Sequence, residues 1–483
     1  MFKLFFSLVI GMTIWSFSGS MLASQTQMNS KPITLAEAVA LALRHNRTIE
    51  SAYLNRILEK FDLEVIRDEF WPDLTLSATT TAARQTDNET IMGQIGANFA
   101  VKVPTGGQLG LDITHTILDP WENSDNAFTN DLVFSFRQPL LRGRGFDVNM
   151  ASQLLGERQE QVNQLNLKKT LINTLTQVIY AYRNFLLAQH GIKITQLSLA
   201  RSQKLLEVNQ ALITAGRMAQ VEIIQAQADL ANQELGLREN QNTLDKTRLN
   251  LLQLLNIDKH TQLNPIEPIT VKPVNLKVAT LQQMALERRP DYLQALLEQE
   301  NTKTRLLLAE NEQLWELDVI ARYNITGTSD DWIESQQRAG RLGKGDYSVQ
   351  LALRIPFGDK PRERELVAAR VRLRHAGINV QEFKDNIEIE ILDAVRNIKI
   401  KWEQVKLAQR AQDLSKQQLD IELEKLKVGR SNNFQIVTFQ NGLIRAENSE
   451  LRAKIDYLNA LTNLDALLST TLERWGVNIS TMD

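Results

Sequence analysis

Cysteine is absent from the sequence, so the chain forms no disulfide and has no thiol to which a lipid anchor could be attached. The formal net charge is only −2, and the charges are interspersed rather than clustered. This excludes the broad basic surface that nucleic acid would require. The five histidines are scattered without metal-ligand spacing. With no catalytic constellation apparent, we expect neither an enzyme nor a cofactor or metal site.

Proline is rare and unevenly placed. None of the 11 prolines lies between Leu140 and Asn264, and none follows Pro361. Both proline-free stretches are rich in Leu, Gln, Glu, Lys, Arg and Ala, which predicts long helices in each. Gly143 and Gly145 are followed by neither a P-loop ending nor a dinucleotide fingerprint, so we interpret them as a break between strand and helix.

A long hydrophobic run occurs only at the start of the sequence. The apolar run from Leu4 to Phe17 follows a single charge at Lys3 and leads to small residues ending at Ala23. A membrane span would need about 20 apolar residues, so this shorter run predicts a secretory signal peptide over residues 1–23. We therefore expect an exported mature chain.

An internal duplication organises the rest. Ala181-Tyr182-Arg183-Asn184 recurs as Ala394-Val395-Arg396-Asn397, and Gly216-Arg217 recurs as Gly429-Arg430, each 213 residues later. One unbroken register over many positions indicates a duplicated unit. The predicted division is a first structural repeat, a connector at the equatorial region and a second structural repeat, over residues 24–256, 257–278 and 279–483.

Each repeat contains a helical run of 67 residues, about 100 Å long, from Val148 to Thr214 and from Pro361 to Lys427. Apolar residues at every seventh position predict a seam that packs against another helix. These residues are Leu171, Val178, Phe185, Ile192, Leu199, Leu206 and Ile213 in the first run and Ile391, Ile398, Val405, Leu419 and Leu426 in the second.

Both runs end at a glycine that can adopt the left-handed conformation, Gly216 or Gly429. Shorter return helices are predicted next, so each unit is an antiparallel hairpin. Two further helices have the length to complete the return helices end to end. The predicted bounds are Ala219 to Leu255 and Asn432 to Leu468 for the return helices, and Thr34 to Glu69 and Ala279 to Asn311 for the completing helices.

Segments with alternating apolar and polar residues lie between the helices and predict strands with one apolar face. They are Asp73 to Ala82, Gly93 to Val103, Gln108 to His115, Leu132 to Gln138, Asp318 to Ile325 and Tyr347 to Ile355. No mature helix is expected to span a membrane, so only a closed barrel could cross one. Four to six strands cannot close a barrel alone, so subunits would share it. The predicted fold is mainly α with a small β part.

The sequence resembles the TolC family of outer-membrane efflux proteins over nearly the whole mature chain. The resemblance is carried by the tip glycines and by Ile33-Thr34-Leu35-Ala36-Glu37-Ala38, Phe136-Arg137-Gln138-Pro139-Leu140-Leu141, Arg289-Pro290-Asp291 and Ile355-Pro356-Phe357-Gly358. It implies a homotrimer in the outer membrane of a Gram-negative cell, in which each subunit gives four strands to a barrel and two hairpins to a periplasmic tunnel. It also implies two partners, a periplasmic adaptor and an inner-membrane transporter, in an efflux pump or a type I secretion system.

The resemblance also implies site residues at the hairpin tips. Docking of the adaptor would involve Ala215, Gly216, Arg217, Val428, Gly429 and Arg430, although the glycines also serve as helix terminators. The family's gate aspartates are replaced by Gln435 and Thr438, so the predicted gate also includes Glu222 and Arg430. Glu222 is equally well explained as a solvated helix acid. An added strand pair around Pro104 leaves the strand number open.

Two classes of function stay in view. The favoured one is a passive exit duct gated at the tips, and the alternative is a structural coiled-coil protein of the periplasm or envelope without a pore. The alternating strands favour the duct, while the cargo is not determined by the sequence. Trp71 and Trp315 are expected to be buried where helices meet strands, and Trp121 and Trp332 are left unassigned.

Overall fold

The computed structural model describes residues 30–85, 88–118, 127–341 and 344–477. The predicted signal peptide and Trp121 lie outside these ranges. Long antiparallel helices form most of the described chain, a six-stranded antiparallel sheet lies at one end of them, and a two-stranded parallel sheet lies elsewhere. This architecture confirms the predicted fold class of long hairpins with a small β part.

The elements of the first half are, in chain order, β1 (Lys31–Ile33), α1 (Leu35–His45), α2 (Arg47–Arg67), β2 (Asp73–Gln85), β3 (Asn88–Lys102), β4 (Gln108–Leu118), β5 (Phe128–Pro139), α3 (Phe146–Asn149), α4 (Ala151–Thr214) and α5 (Glu222–Leu255). Those of the second half are β6 (Leu263–Pro265), α6 (Val278–Arg288), α7 (Pro290–Asn311), β7 (Glu316–Ser329), α8 (Trp332–Ala339), β8 (Asp346–Arg354), α9 (Lys360–Lys427), α10 (Asn433–Leu467) and α11 (Thr471–Arg474).

The two long helices, α4 and α9, have 64 and 68 residues and end at the predicted positions. The predicted seam is buried throughout α9 and over the first part of α4, at Leu171, Val178 and Phe185. Towards the tip of α4 its residues are only half-buried: Ile192, Leu199, Leu206 and Ile213. α4 begins three residues later than predicted, because the short helix α3 and Met150 precede it.

The completing helices are each broken once, which the sequence analysis did not predict. Asn46 ends α1 and caps α2, because its side chain accepts hydrogen bonds from the amides of Thr48 (2.8 Å) and Ile49 (3.2 Å). In the second repeat, Pro290 occupies the first turn of α7, where its missing N–H costs nothing. The two breaks therefore occur at equivalent positions of the two repeats, but an asparagine cap starts the next helix in the first repeat and a proline starts it in the second.

All six predicted strands are present in one antiparallel sheet of order β2-β3-β4-β5-β7-β8. β7 begins 243 residues after β2 (Glu316 against Asp73), whereas α9 ends 213 residues after α4 (Lys427 against Thr214). The first repeat is therefore longer by about one strand pair in this region, and β3 and β4 are the added pair. The turn between them places Gly106 at φ 95°, a conformation that favours glycine.

The middle of the molecule is held by two buried tyrosines. The Tyr182 hydroxyl donates to the carbonyl of Ile33 (2.9 Å), and the Tyr457 hydroxyl donates to that of Lys272 (2.8 Å). Strand β1 pairs in parallel with β6, which lies in the predicted connector. The hydroxyls therefore attach the segment that precedes α1 and the connector to the long hairpins.

Trp71 and Trp315 are 71% and 54% exposed, so the prediction that they are buried is wrong for the subunit. Each lies at the junction of helix and sheet, where the subunit offers no cover. Trp332 packs instead on His115, with ring centroids 3.8 Å apart. Within the described ranges, no helix combines the length and the apolar character needed to cross a membrane.

Candidate functional site at the hairpin tips and on the sheet

Both tips end their outgoing helix with the same hydrogen-bonded cap. The amide of Arg217 donates to the Leu212 carbonyl and that of Gly216 to Ile213, each at 2.9 Å. Arg430 donates in the same way to Lys425 at 2.9 Å. The cap requires a left-handed residue, and Gly216 and Gly429 have φ of 68° and 74°. Two glycine-closed turns at equivalent ends of the hairpins follow from this geometry.

The return helices begin differently at the two tips. α5 starts at Glu222 rather than at the predicted Ala219, because residues 219–221 form a turn without a side-chain cap. α10 starts one residue after the predicted Asn432, whose side chain accepts from the Gln435 amide (3.0 Å) and caps the helix. Of the two return helices, only α10 therefore begins with a side-chain cap.

The tip surface carries exposed cations. Arg217 and Arg430 are exposed, as are Ala215, Gly216, Val428 and Gly429. Neither guanidinium has a carboxylate within ion-pair distance among the described residues. The structure therefore places the six predicted docking residues on two accessible turns. A docking role for them is a proposal, which the geometry permits.

Glu222 contacts the other hairpin of its own subunit. The buried side chain of Asn433 donates to the Glu222 backbone carbonyl (3.3 Å) and to its Oε2 (3.4 Å). No ion pair joins Glu222 to Arg430 within the described subunit. Gln435 and Thr438 are exposed, and the Thr438 hydroxyl donates back to the Phe434 carbonyl of its own helix (2.7 Å). A latch between subunits stays a prediction.

Glu422 is a tip residue that the sequence analysis missed. It is buried on α9, accepts from the Ser431 hydroxyl (2.6 Å) and pairs with Lys425 (3.1 Å). The hydrogen bond from Ser431 holds the pKa of this carboxyl below its usual value. The carboxylate thus ties the end of α9 to the turn that follows it. The available signal in the sequence was its spacing, because Glu422 lies three residues after Leu419 and four before Leu426, on the helix face of the predicted seam.

Polar residues also lie between the packed helices, several turns away from the tips. The Ser202 hydroxyl of α4 donates to Asp229 of α5 (2.5 Å), and Gln233 links α5 to Asn441 of α10 (3.3 Å). Asn209 of α4 is fully buried, with no hydrogen-bond partner for its amide among the described residues. The helix ends near the tips are therefore held partly by polar contacts rather than by an apolar core alone.

The sheet has two chemically different faces. One row of paired residues runs across all six strands on the first face and is entirely apolar or aromatic: Leu74, Phe99, Leu111, Phe134, Tyr323 and Tyr347. Large side chains in this face are exposed, including Leu74 at 62% and Tyr347 at 83%. An exposed apolar surface of this extent marks an interaction with a membrane or another protein.

The opposite face is polar. Neighbouring strands are linked there by Asn98 donating to Asp112, by Thr326 donating to Asp131 (2.6 Å), and by Arg137 pairing with Asp318 (2.6 Å). The polar face thus carries charged and amide groups. On the first face, His115 and Asn130 are polar but buried, because α8 covers them through Trp332 and Ser335. A sheet with this division can separate water from an apolar medium.

The sequence matches no protein-family model and no curated protein. Solved structures nevertheless match the fold over nearly its whole length. The Campylobacter jejuni CmeC outer membrane channel has a TM-score of 0.68 at 14% identity, covering 98% of this chain and 99% of its own. The open state of the Neisseria gonorrhoeae MtrE outer membrane channel has 0.69 at 14%, covering 90% and 88%. The outer membrane protein VceC of Vibrio cholerae has 0.67 at 14%, covering 90% and 96%.

Proposed function

Because this chain has the fold of the TolC-like outer-membrane channels, in agreement with its sequence resemblance, we propose that three copies form an exit duct for a tripartite efflux pump or a type I secretion system. The sheets of the subunits would share one barrel in the outer membrane, and the hairpins would form a tunnel in the periplasm. Transport through the duct is passive. An inner-membrane transporter supplies the energy, and a periplasmic adaptor contacts the hairpin tips.

The observation that carries the proposal is the two-faced sheet at one end of the long hairpins. Its apolar row crosses six strands, and the opposite face is polar and charged. A membrane barrel needs this arrangement, since one face meets lipid and the other meets water. A periplasmic coiled-coil protein without a pore has no use for it.

A second exposed stripe supports association of the subunits. Residues at seven-residue spacing along α9 are large, apolar and between 48% and 65% exposed: Ile400, Leu407, Leu414 and Ile421. Another exposed apolar stripe follows α2, formed by Leu54, Ile57, Leu58, Phe61 and Val65. Helical stripes of this spacing pack against other helices. Neighbouring subunits of a tunnel would cover them.

The proposal is tested in outer membranes of cells that express the chain. We expect a detergent-stable trimer by native mass determination, and channels of discrete conductance in planar bilayers. Leu407→Glu combined with Leu414→Glu should reduce the trimer, because a buried carboxylate without a partner is costly. The exposed Lys406 and Lys416 lie off the face of Leu407 and Leu414 and provide the matched control, since their change to Glu should leave the trimer intact. A stable soluble monomer of the unaltered chain would reject the duct.

A further inference from the structure

We propose that each subunit contributes six strands to the shared barrel, so that three subunits close an eighteen-stranded pore. This inference rests on the proposed trimeric duct. The family resemblance implies four strands per subunit, whereas this chain has six strands in one continuous sheet. The added strands are β3 and β4, which lie in the middle of the sheet between β2 and β5.

The added strands β3 and β4 are as long as the strands of a transmembrane barrel wall. The six strands contain between 9 and 15 residues, and β3 and β4 contain 15 and 11. About 9–11 residues suffice for a tilted strand to cross the hydrocarbon core. The two strands are thus long enough to cross the membrane beside their neighbours.

The added pair also continues both faces of the sheet. On the apolar face, Phe99 of β3 and Leu111 of β4 stand opposite each other. On the polar face, Asn98 donates a hydrogen bond to Asp112. A hairpin that folded away from the membrane would have no reason to place lipid-compatible residues on one side and water-compatible residues on the other.

Hydrogen bonding ties β3 and β4 into the wall. β3 pairs with β2 over 13 residue pairs and β4 with β5 over 10. Removing the added pair alone would break both ladders. A four-stranded wall that keeps its ladders and both strands of the second repeat is β4-β5-β7-β8, and it would leave β2 and β3 outside. The two arrangements differ in which strand lies at the subunit edge.

The two edge strands of the six-stranded sheet fit a second copy of this chain. β2 leaves the helices and β8 returns to them, so β8 of one copy next to β2 of another is antiparallel. Both strands place leucines on the apolar face, with Leu76 at 74% and Leu351 at 66% exposed. At the helix-proximal ends, Asp73 and Arg354 lie on the polar face with opposite charges. An even strand number then closes the barrel.

A pore of eighteen strands is wider than one of twelve, because barrel diameter grows roughly in proportion to strand number. Barrels of about 16–18 strands leave an open aqueous channel. The outer-membrane part of the duct would therefore admit larger cargo than the four-strand plan of the family allows. Any narrow point would lie in the helical tunnel rather than in the sheet.

Cysteine pairs identify the edges without background, because the chain has no cysteine of its own. Leu76→Cys is combined in turn with Val349→Cys, Leu351→Cys and Leu353→Cys. These three residues of β8 all lie on the apolar face, so the series tests three possible registers between β8 of one copy and β2 of the next. A short bismaleimide is added to outer-membrane vesicles. We expect at least one pair to move the chain from the monomer to the covalent trimer on denaturing gels.

Two further pairs make the result decisive. Ala321→Cys with Val349→Cys joins opposite residues of β7 and β8 within one chain, so it should react and keep the monomer mass. Leu111→Cys with Leu351→Cys reports the β4 edge. Trimers from the β4 pair and none from the β2 pairs would overturn the proposal, as would no trimers from either while the control pair reacts.

Electron cryomicroscopy of the purified trimer provides a count that is independent of cross-linking. A view along the pore axis should show eighteen strands, and twelve would overturn the proposal. The native mass separates this failure from failure of the duct itself. A trimer with twelve strands rejects only the six-strand wall, whereas a monomer rejects both.

Discussion

Two tyrosine hydroxyls connect distant parts of the chain. Burial raises the pKa of Tyr182 to about 12 and also raises that of Tyr457, so both stay protonated donors at physiological pH. Changing either to Phe removes that hydrogen bond, although the Ile33 carbonyl keeps the Ile266 amide as a donor (3.2 Å) and Lys272 is exposed. We expect each variant to lose about 0.5–1.5 kcal/mol of stability, seen as a lower Tm of the detergent-solubilised protein.

The Tyr180 hydroxyl supplies the control for this experiment. Its hydrogen bond to a backbone carbonyl is 3.4 Å long, so Tyr180→Phe should change the Tm much less. Equal losses in all three variants would mean that the two short hydrogen bonds do not hold the segment before α1 and the connector.

The tip glycines are needed for conformation rather than for space. No atom lies within 4 Å of a Cβ built on Gly216 or Gly429, yet both have positive φ. Gly216→Ala and Gly429→Ala should each destabilise the tip by about 1–2 kcal/mol, measured by faster hydrogen exchange of the tip amides. Gly442→Ala, inside α10 and equally open, should instead stabilise by about 0.5–1 kcal/mol.

At the scale of helices and strands, the tip arginines are the clearest candidates for recognition. Both are exposed cations on capped turns. Changing Arg217 and Arg430 together to Glu should abolish export while the amount of folded trimer stays the same. Adaptor binding should weaken by about tenfold or more, which corresponds to about 1.4 kcal/mol.

Lys399→Glu is the matched control for docking, because Lys399 is exposed on α9, away from the tips and off the Leu407–Leu414 face. It should leave both export and adaptor affinity at the wild-type level. Unchanged export in the double tip variant would reject the docking role, whatever the control shows.

A latch between subunits would join Glu222 of one copy to Arg430 of another. Such a partly exposed pair contributes about 0.2–1 kcal/mol, but a trimer repeats it three times. Glu222→Gln and Arg430→Gln should each raise single-channel conductance, and the double variant should add little to either. Because Asn433 also contacts Glu222 within a subunit, Asn433→Ala tests whether that contact closes the gate instead. Wild-type conductance in the three latch variants would exclude the pair.

At the scale of the whole molecule, the two faces of the sheet decide whether the protein enters a membrane. Ile113→Lys places a charge in the apolar face at the middle of β4, at a cost of about 2–4 kcal/mol per copy near the bilayer centre. We expect it to lower the fraction of SDS-resistant trimer in outer membranes. Asn98→Lys lies on the opposite face beside Asp112, where a cation gains a partner, and should be tolerated. Similar losses in both variants would contradict the assignment of faces.

Much of the architecture follows from the sequence alone. Proline-free stretches, the seven-residue seam and the tip glycines predicted the hairpins because a helix responds to local spacing and to residues that cannot continue it. The alternating segments predicted all six strands, since a strand with one apolar face has a period of two. The order of the strands also agrees with the chain, because each pairs with its neighbour in sequence within this sheet.

Other features were decided by the tertiary structure, because they depend on neighbours that are far apart in sequence. Arg183 and Arg396 occupy equivalent places in the repeat, yet Arg183 bonds Asn459 and Thr462 of the other hairpin, and burial lowers its pKa to about 10. Arg396 is exposed and pairs with Asp393 of its own helix. The duplication accounts for an arginine at both positions, whereas the packing of the helices determines that one arginine is buried and the other exposed. The same holds for Trp71 and Trp315, whose exposure depends on what the rest of the subunit leaves uncovered.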